Sequence, residues 1–272
     1  MVFLMKNQQV FFFLLFVISL PISTLGTDSE LIYHQCEKNF TQNHILQSNI
    51  GNLLMDMAAQ SALHGFAISS SGSVNYDAVY GVARCEGDMS HEACSACIIG
   101  TEHDIQSICP GSGAVYAWRE KCYLHYDITN FLGEWGRTYV MLRHSTSKPE
   151  DPKAFEQVLT ELMGELIAEA AGARDLTLKF KSGESTVDEN YKNSVTIYGM
   201  VQCTQDLGES ECHYCLKSSL QAMADYCGGS VGCQLIGSGC VLRYEIYKFL
   251  FLDEAATGDK APAPAPSVAA GY

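Results

Sequence analysis

Cys94 and Cys97 stand two residues apart in the stretch CEGDMSHEACSACIIG, residues 85 to 100. That spacing serves three chemistries: a redox dithiol, half of a zinc site, or two thiols each bonded elsewhere. Zinc needs a second ligand pair at compatible spacing, and the gaps from Cys97 to Cys109 and Cys122 suit neither a finger nor a ribbon. His91 and His103 flank the motif singly and read as solvated. The chain shows no G-x-S-x-G, no H-E-x-x-H and no phosphate loop. Its eight histidines are scattered and read as surface residues rather than general bases. Asp88 and Asp206, each just before a second helix, read as turn or cap residues. No catalytic residue, metal or cofactor is expected, and no enzyme.

The compartment decides among the thiol chemistries. Residues 1–26 carry one cation, Lys6, then an apolar run of eleven residues from Val10 to Leu20, then Pro21 and the small-residue pattern Thr24-Leu25-Gly26. This reads as a secretory signal peptide cleaved after Gly26, since eleven apolar residues fall short of the roughly 18 that span a bilayer. The C-terminal end is polar and offers no lipid-anchor signal. A secreted, extracellular protein without a membrane span is expected. In that setting disulfides persist, and the twelve cysteines form an even set.

The cysteines also repeat. Cys85, Cys94, Cys97, Cys109 and Cys122 recur 118 residues later as Cys203, Cys212, Cys215, Cys227 and Cys240. Val79-Tyr80-Gly81 matches Ile197-Tyr198-Gly199, and CYLHYDITNFL at 122 matches CVLRYEIYKFL at 240. This is a tandem duplication of small domains. The expected boundaries are a first domain over 27–142, a polar linker with two prolines over 143–152, a second domain over 153–252 and a disordered Ala/Pro-rich tail over 253–272.

Each half repeats the same elements. Asp151 and Pro152 mark a helix start, followed by one apolar face of Phe155, Val158, Leu159, Leu162, Met163, Leu166 and Ile167. Leu46, Ile50, Leu53, Leu54 and Met57 form the counterpart in the first half. A second helix is predicted over about 90–107 and again over 210–226, with Cys94 and Cys97 one turn apart on one side. Alternating runs such as VYGVARC, AVYAWRE and CYLHYDI read as strands. The fold class is α+β: two tandem domains, each a small antiparallel sheet with two helices packed on one face and stapled by disulfides. In that frame the C-x-x-C is scaffold.

The pattern C-x8-C-x2-C, with Tyr-Gly before it and C-x12-C after it, resembles the ginkbilobin-like, stress-antifungal domain of plants. A signal peptide with two such domains resembles the cysteine-rich repeat secretory proteins, over about residues 29–252. The resemblance implies about five strands and two helices per domain, and the pairs Cys36–Cys109, Cys85–Cys94 and Cys97–Cys122. The second half departs from the scheme, because Ala154 stands 118 residues after Cys36 and an extra Cys233 follows Cys227. The pairs taken there are Cys203–Cys212, Cys215–Cys240 and Cys227–Cys233, the alternative being a cross-domain bond from Cys227 to Cys36.

Some single-domain members of this family bind mannose through an Asn after the first cysteine, an Arg six before the last and a Glu five after it. The matching candidate ligand positions here are Glu37, Tyr116 and Asp127 in the first half, and Gln234 and Glu245 in the second. Losing the amide and guanidinium donors weakens the mannose reading, and Asp127 and Glu245 read as strand-face acids near the surface. The net charge, −14 for the full chain and −15 without Lys6, disfavours nucleic acid and anionic membranes. The family resemblance implies a non-catalytic interaction protein in plant stress or defence signalling. Expected partners are extracellular proteins, including receptor-kinase ectodomains, or neutral glycans; the alternative is an antifungal lectin with an altered site. Asn39-Phe40-Thr41 is an N-glycosylation sequon.

Overall fold

The computed structural model describes residues 30–250, apart from 41–42, 74–76, 137–138, 174–178 and 190–192. The expected signal peptide and Ala/Pro tail lie outside the described residues. In the first half the order is β1 (Tyr33–Asn39), α1 (His44–His64), β2 (Phe66–Ser71), β3 (Val79–Cys85), α2 (His91–Ile108), β4 (Ser112–Trp118) and β5 (Cys122–Asp127). The second half runs β6 (Tyr139–His144), α3 (Pro152–Ala171), β7 (Phe180–Glu189), β8 (Asn193–Cys203), α4 (Glu209–Cys227), β9 (Cys233–Gly237) and β10 (Cys240–Glu245). Two five-stranded antiparallel sheets result, ordered β1-β4-β5-β3-β2 and β6-β9-β10-β8-β7.

Local chemistry sets the helix ends. Asn43 and Ser90 accept from the backbone N–H of Leu46 and Ala93, and Asp151 accepts from those of Lys153 and Ala154 ahead of Pro152. The caps of α2 and α4 are thus Ser90 and Gly208, not Asp88 and Asp206, which lie in the turns before them. Both first helices press closely on their sheets, and the repeated Tyr-Gly explains how. A Cβ on Gly81 would run into the Met57 sulfur, and one on Gly199 would sit 3.0 Å from that of Met163.

Six disulfides join helix to strand or strand to loop: Cys36–Cys109, Cys85–Cys94 and Cys97–Cys122, then Cys203–Cys212, Cys215–Cys240 and Cys227–Cys233. No described cysteine is free. The C-x-x-C thiols therefore hold α2 to two different strands.

Strand alternation sends Val115, Ala117, Leu124 and Tyr126 toward α1 and α2, where they join Leu53, Leu54 and Met57 in one core. The opposite face is not left to solvent. Val82, Trp118 and Tyr123 pack there against Met200, Ile236, Val241 and Phe249 of the second half. The two sheets meet on the faces that their helices leave uncovered, which buries β5 on both sides. Polar contacts fix the register between the halves: Gln202 Nε2 donates to the Cys85 carbonyl at 2.9 Å, and the Gly87 N–H donates to Gln202 Oε1 at 3.2 Å.

One boundary differs from the sequence reading. Residues 139–144 form β6, an edge strand of the second sheet, so Arg143 and His144 are strand residues rather than linker. The strand signal is the apolar Tyr-Val-Met-Leu run, which lies before the prolines that mark the connection.

Candidate functional site

The mapped ligand positions come together in the first half, on the sheet face turned away from α1 and α2, and are already engaged. Glu37 on β1 and Asp127 on β5 both flank Ala114 of β4, and Tyr116 lies one step along the same face. Gln35 Nε2 donates to Glu37. Asp127 is 7 % exposed, so it is a buried acid and not the surface one expected. Its carboxylate accepts from the Lys38 ammonium at 2.5 and 2.7 Å and from the Thr129 N–H at 2.7 Å. Lys38 is the only described non-glycine residue at positive φ, 54°. In the second half Glu245 is also buried and accepts from Arg243 at 3.2 Å, while burial pushes its pKa up. Gln234 is buried beside it, paired in register with Arg243. Asn39 ends β1, exposed, and accepts from the Ser112 hydroxyl at 3.3 Å; Thr41 lies outside the described residues.

A second place gathers polar side chains without pairing them. A cleft of about 210 Å³ opens where the halves meet, lined by Tyr116, Tyr123 and His125 from one side and Thr204, Asp206 and Gly239 from the other. The strands supply the first set, since Tyr116 and His125 are register partners and Tyr123 follows two residues back on β5. Tyr116 stacks on His125 at 3.8 Å, and His125 stacks on Phe131 at 3.9 Å. Burial, helped by Lys38, pulls the His125 pKa down to about 3, so the imidazole is neutral at any extracellular pH. This corrects the surface reading of that histidine. Burial also drives the Tyr123 hydroxyl well up, and Asp206 adds to the rise.

The repeat explains why the cleft exists. In the first half Lys121 donates to Asp88 at 2.9 Å and lies 3.5 Å from Glu86. In the 118-residue register, Glu86, Asp88 and Lys121 correspond to Thr204, Asp206 and Gly239. The second copy thus lacks that lysine, and the cations whose fields reach Asp206 are Lys179, which donates to the neighbouring Gln205 and Leu207 carbonyls, and Arg84 of the first half. Asp206 instead accepts from the Gly133 N–H at 3.0 Å through Oδ2, while Oδ1 is buried with no hydrogen-bond partner among the described residues. The Tyr123 hydroxyl and His125 Nε2 are in the same condition. Sequence reasoning missed this site, although aligning the copies exposes the Lys121-to-Gly239 change.

Among the described residues no group of acids, histidines and cysteines is arranged to hold a metal ion, and no helix is long and apolar enough to cross a membrane. A family model described as salt stress response/antifungal matches residues 34–129 and 143–247. Cysteine-rich repeat secretory protein 55 of Arabidopsis thaliana is 31 % identical over 93 % of this chain and 95 % of its own length. Cysteine-rich receptor-like protein kinase 25 of the same plant is 28 % identical over 97 % of this chain, but only 39 % of the kinase. The crystal structure of the tandem DUF26 ectodomain of the Arabidopsis thaliana cysteine-rich receptor-like protein PDLP8 superposes with a TM-score of 0.64. That match has 24 % identity and covers 80 % of this chain and 98 % of the ectodomain.

Proposed function

Since the chain belongs to the salt stress response/antifungal family, we propose that it is a non-catalytic binding protein of the plant apoplast, acting in stress or defence signalling. The observation that carries this reading is the double module itself. Two disulfide-stapled sheets are locked face to face into one frame, and a similar double stretch makes up the matched 39 % of a receptor-like kinase. A secretory relative with the same two modules supports an extracellular setting. The partners are extracellular proteins, receptor-kinase ectodomains among them, or neutral glycans. The acidic surface turns the protein away from nucleic acid and anionic membranes.

The altered-lectin reading is the weaker one, because Asp127 and Glu245 are spent on Lys38 and Arg243. Surface plasmon resonance against a panel of purified receptor-kinase ectodomains, run beside a glycan array, separates the two. Saturable binding to an ectodomain with a blank array supports the proposal. Array binding that is lost in Asp127→Asn or Glu245→Gln, with no ectodomain bound, would replace it with the lectin.

A further inference from the structure

We propose that the cleft between the two halves is a binding site for a small uncharged ligand that presents several hydroxyl groups on a single ring. The site shares Tyr116 with the mapped positions but neither Glu37 nor Asp127, and its polar atoms come from both halves.

Three buried polar atoms line the cleft without a hydrogen-bond partner among the described residues: the Tyr123 hydroxyl, His125 Nε2 and Asp206 Oδ1. Tyr123 is 1 % exposed and His125 5 %. Native interiors rarely leave such groups unpaired, because each costs its full desolvation penalty. A ligand that pairs all three recovers that cost on binding. Their chemistry then selects the ligand. Asp206 Oδ1 only accepts, whereas the tyrosine hydroxyl donates and accepts, and the neutral imidazole does one or the other at Nε2. A hydroxyl matches such a mixed set because it also does both. An ammonium could donate to Asp206 and to the tyrosine oxygen, but it would meet a like charge in Lys179, whose own ammonium lies 3.2 Å from the Gln205 carbonyl next to Asp206. A carboxylate or phosphate would meet Asp206 and Glu134, which both line the cleft, as like charges. Tyr123 and Asp206 line the same cleft from opposite halves, and neither atom is bonded to the other. One ligand hydroxyl bridges them by donating to Asp206 and accepting from Tyr123.

Shape agrees with this. The volume is about 210 Å³, below the roughly 300 Å³ at which drug-sized pockets begin, so one ring fits and an oligomer does not. Val82, Phe131 and Trp135 supply apolar walls for the ring's C–H face. The Ser238 hydroxyl, which donates to the Gly136 carbonyl at 3.0 Å, keeps its lone pairs available at the rim. This inference does not rest on the proposed partners, and it is tested without them.

The test is saturation-transfer NMR on the intact secreted protein with methyl β-D-glucopyranoside and myo-inositol as uncharged probes, and choline as a cationic one. Saturable binding of an uncharged probe and none of choline is expected. Tyr123→Phe should weaken that binding roughly five- to tenfold, as for one lost hydrogen bond. Its melting temperature should not fall, because the hydroxyl removed is unpaired in the free protein. Asp206→Asn, which keeps an acceptor for Gly133, should weaken it similarly, and Asp127→Asn should leave it unchanged. The proposal is overturned if no uncharged probe saturates, if choline binds instead, or if Asp127→Asn abolishes binding while Tyr123→Phe does not.

Discussion

The two halves share a fold and a disulfide ladder but differ in how their outermost parts are tied. In the first, Cys36–Cys109 binds edge strand β1 to the end of α2 across 73 residues. In the second, Cys227–Cys233 closes only six residues, and edge strand β6 has no covalent tie. The second half compensates with packing: α3 buries Phe155, Leu162, Met163, Leu166 and Ile167 in its core. The half without the long clamp is thus the one whose first helix carries the fuller apolar face. The halves differ likewise where Lys121 of the first corresponds to Gly239 of the second, and Asp206 and Gly239 both line the cleft.

The disulfide contrast should give the largest effect. Replacing Cys36 and Cys109 by Ser is expected to lower stability by about 4 kcal/mol, against about 2 for Cys227 and Cys233, because loop entropy grows with loop length. Denaturant unfolding of both double variants measures it, and equal losses would show that the long tie carries no extra weight.

Acid should divide the halves next. His125 has Arg243 as its counterpart, which does not titrate in the acid range. The folded pKa of His125, about 3, lies below its unfolded value near 6.5. The stability it confers is therefore complete above pH 6.5 and is lost as pH falls toward 3. Between pH 6 and 4 that loss amounts to about 2–3 kcal/mol. Glu86 and Glu245, raised by burial, act in the opposite sense, so the comparison is with His125→Phe, which keeps the stack on Tyr116 and Phe131. Urea midpoints across this range should fall less steeply in the variant; parallel curves would refute the burial argument.

A smaller test concerns paired substitutions between the copies. The first half sets Ala114 beside Asp127, and the second sets Gly232 by the longer Glu245. A Cβ on Gly232 would collide with the Glu245 carboxylate. Gly232→Ala should cost about 1–2 kcal/mol, and adding Glu245→Asp should restore much of it. Additive losses in a double-mutant cycle would mean that the two positions are independent.

Much of each half was legible because its signals are local. Asp151-Pro152 and the apolar face after it mark α3, and the second helices fall within a residue of their expected ends. The alternating runs around Cys85 and Cys122 mark β3 and β5. What alternation cannot reveal is whether the other face of a strand is covered. Every residue of CYLHYD is buried: Tyr123 packs against the second half and His125 lines the cleft with it, while Asp127 is covered by Lys38. For the same reason the cleft was invisible: Tyr123 and Asp206 stand 83 residues apart, and only the packing of the halves brings them together. The start of the second half was obscured by prolines that follow β6 rather than precede it.

Central to this account is that the two sheets, joined through Trp118, Tyr123, Met200 and Val241, make one cooperative unit. Scanning calorimetry of the intact, disulfide-bonded protein tests this most directly. A single transition is expected, with calorimetric and van't Hoff enthalpies equal. Two resolved transitions, each with the enthalpy of one half, would contradict it.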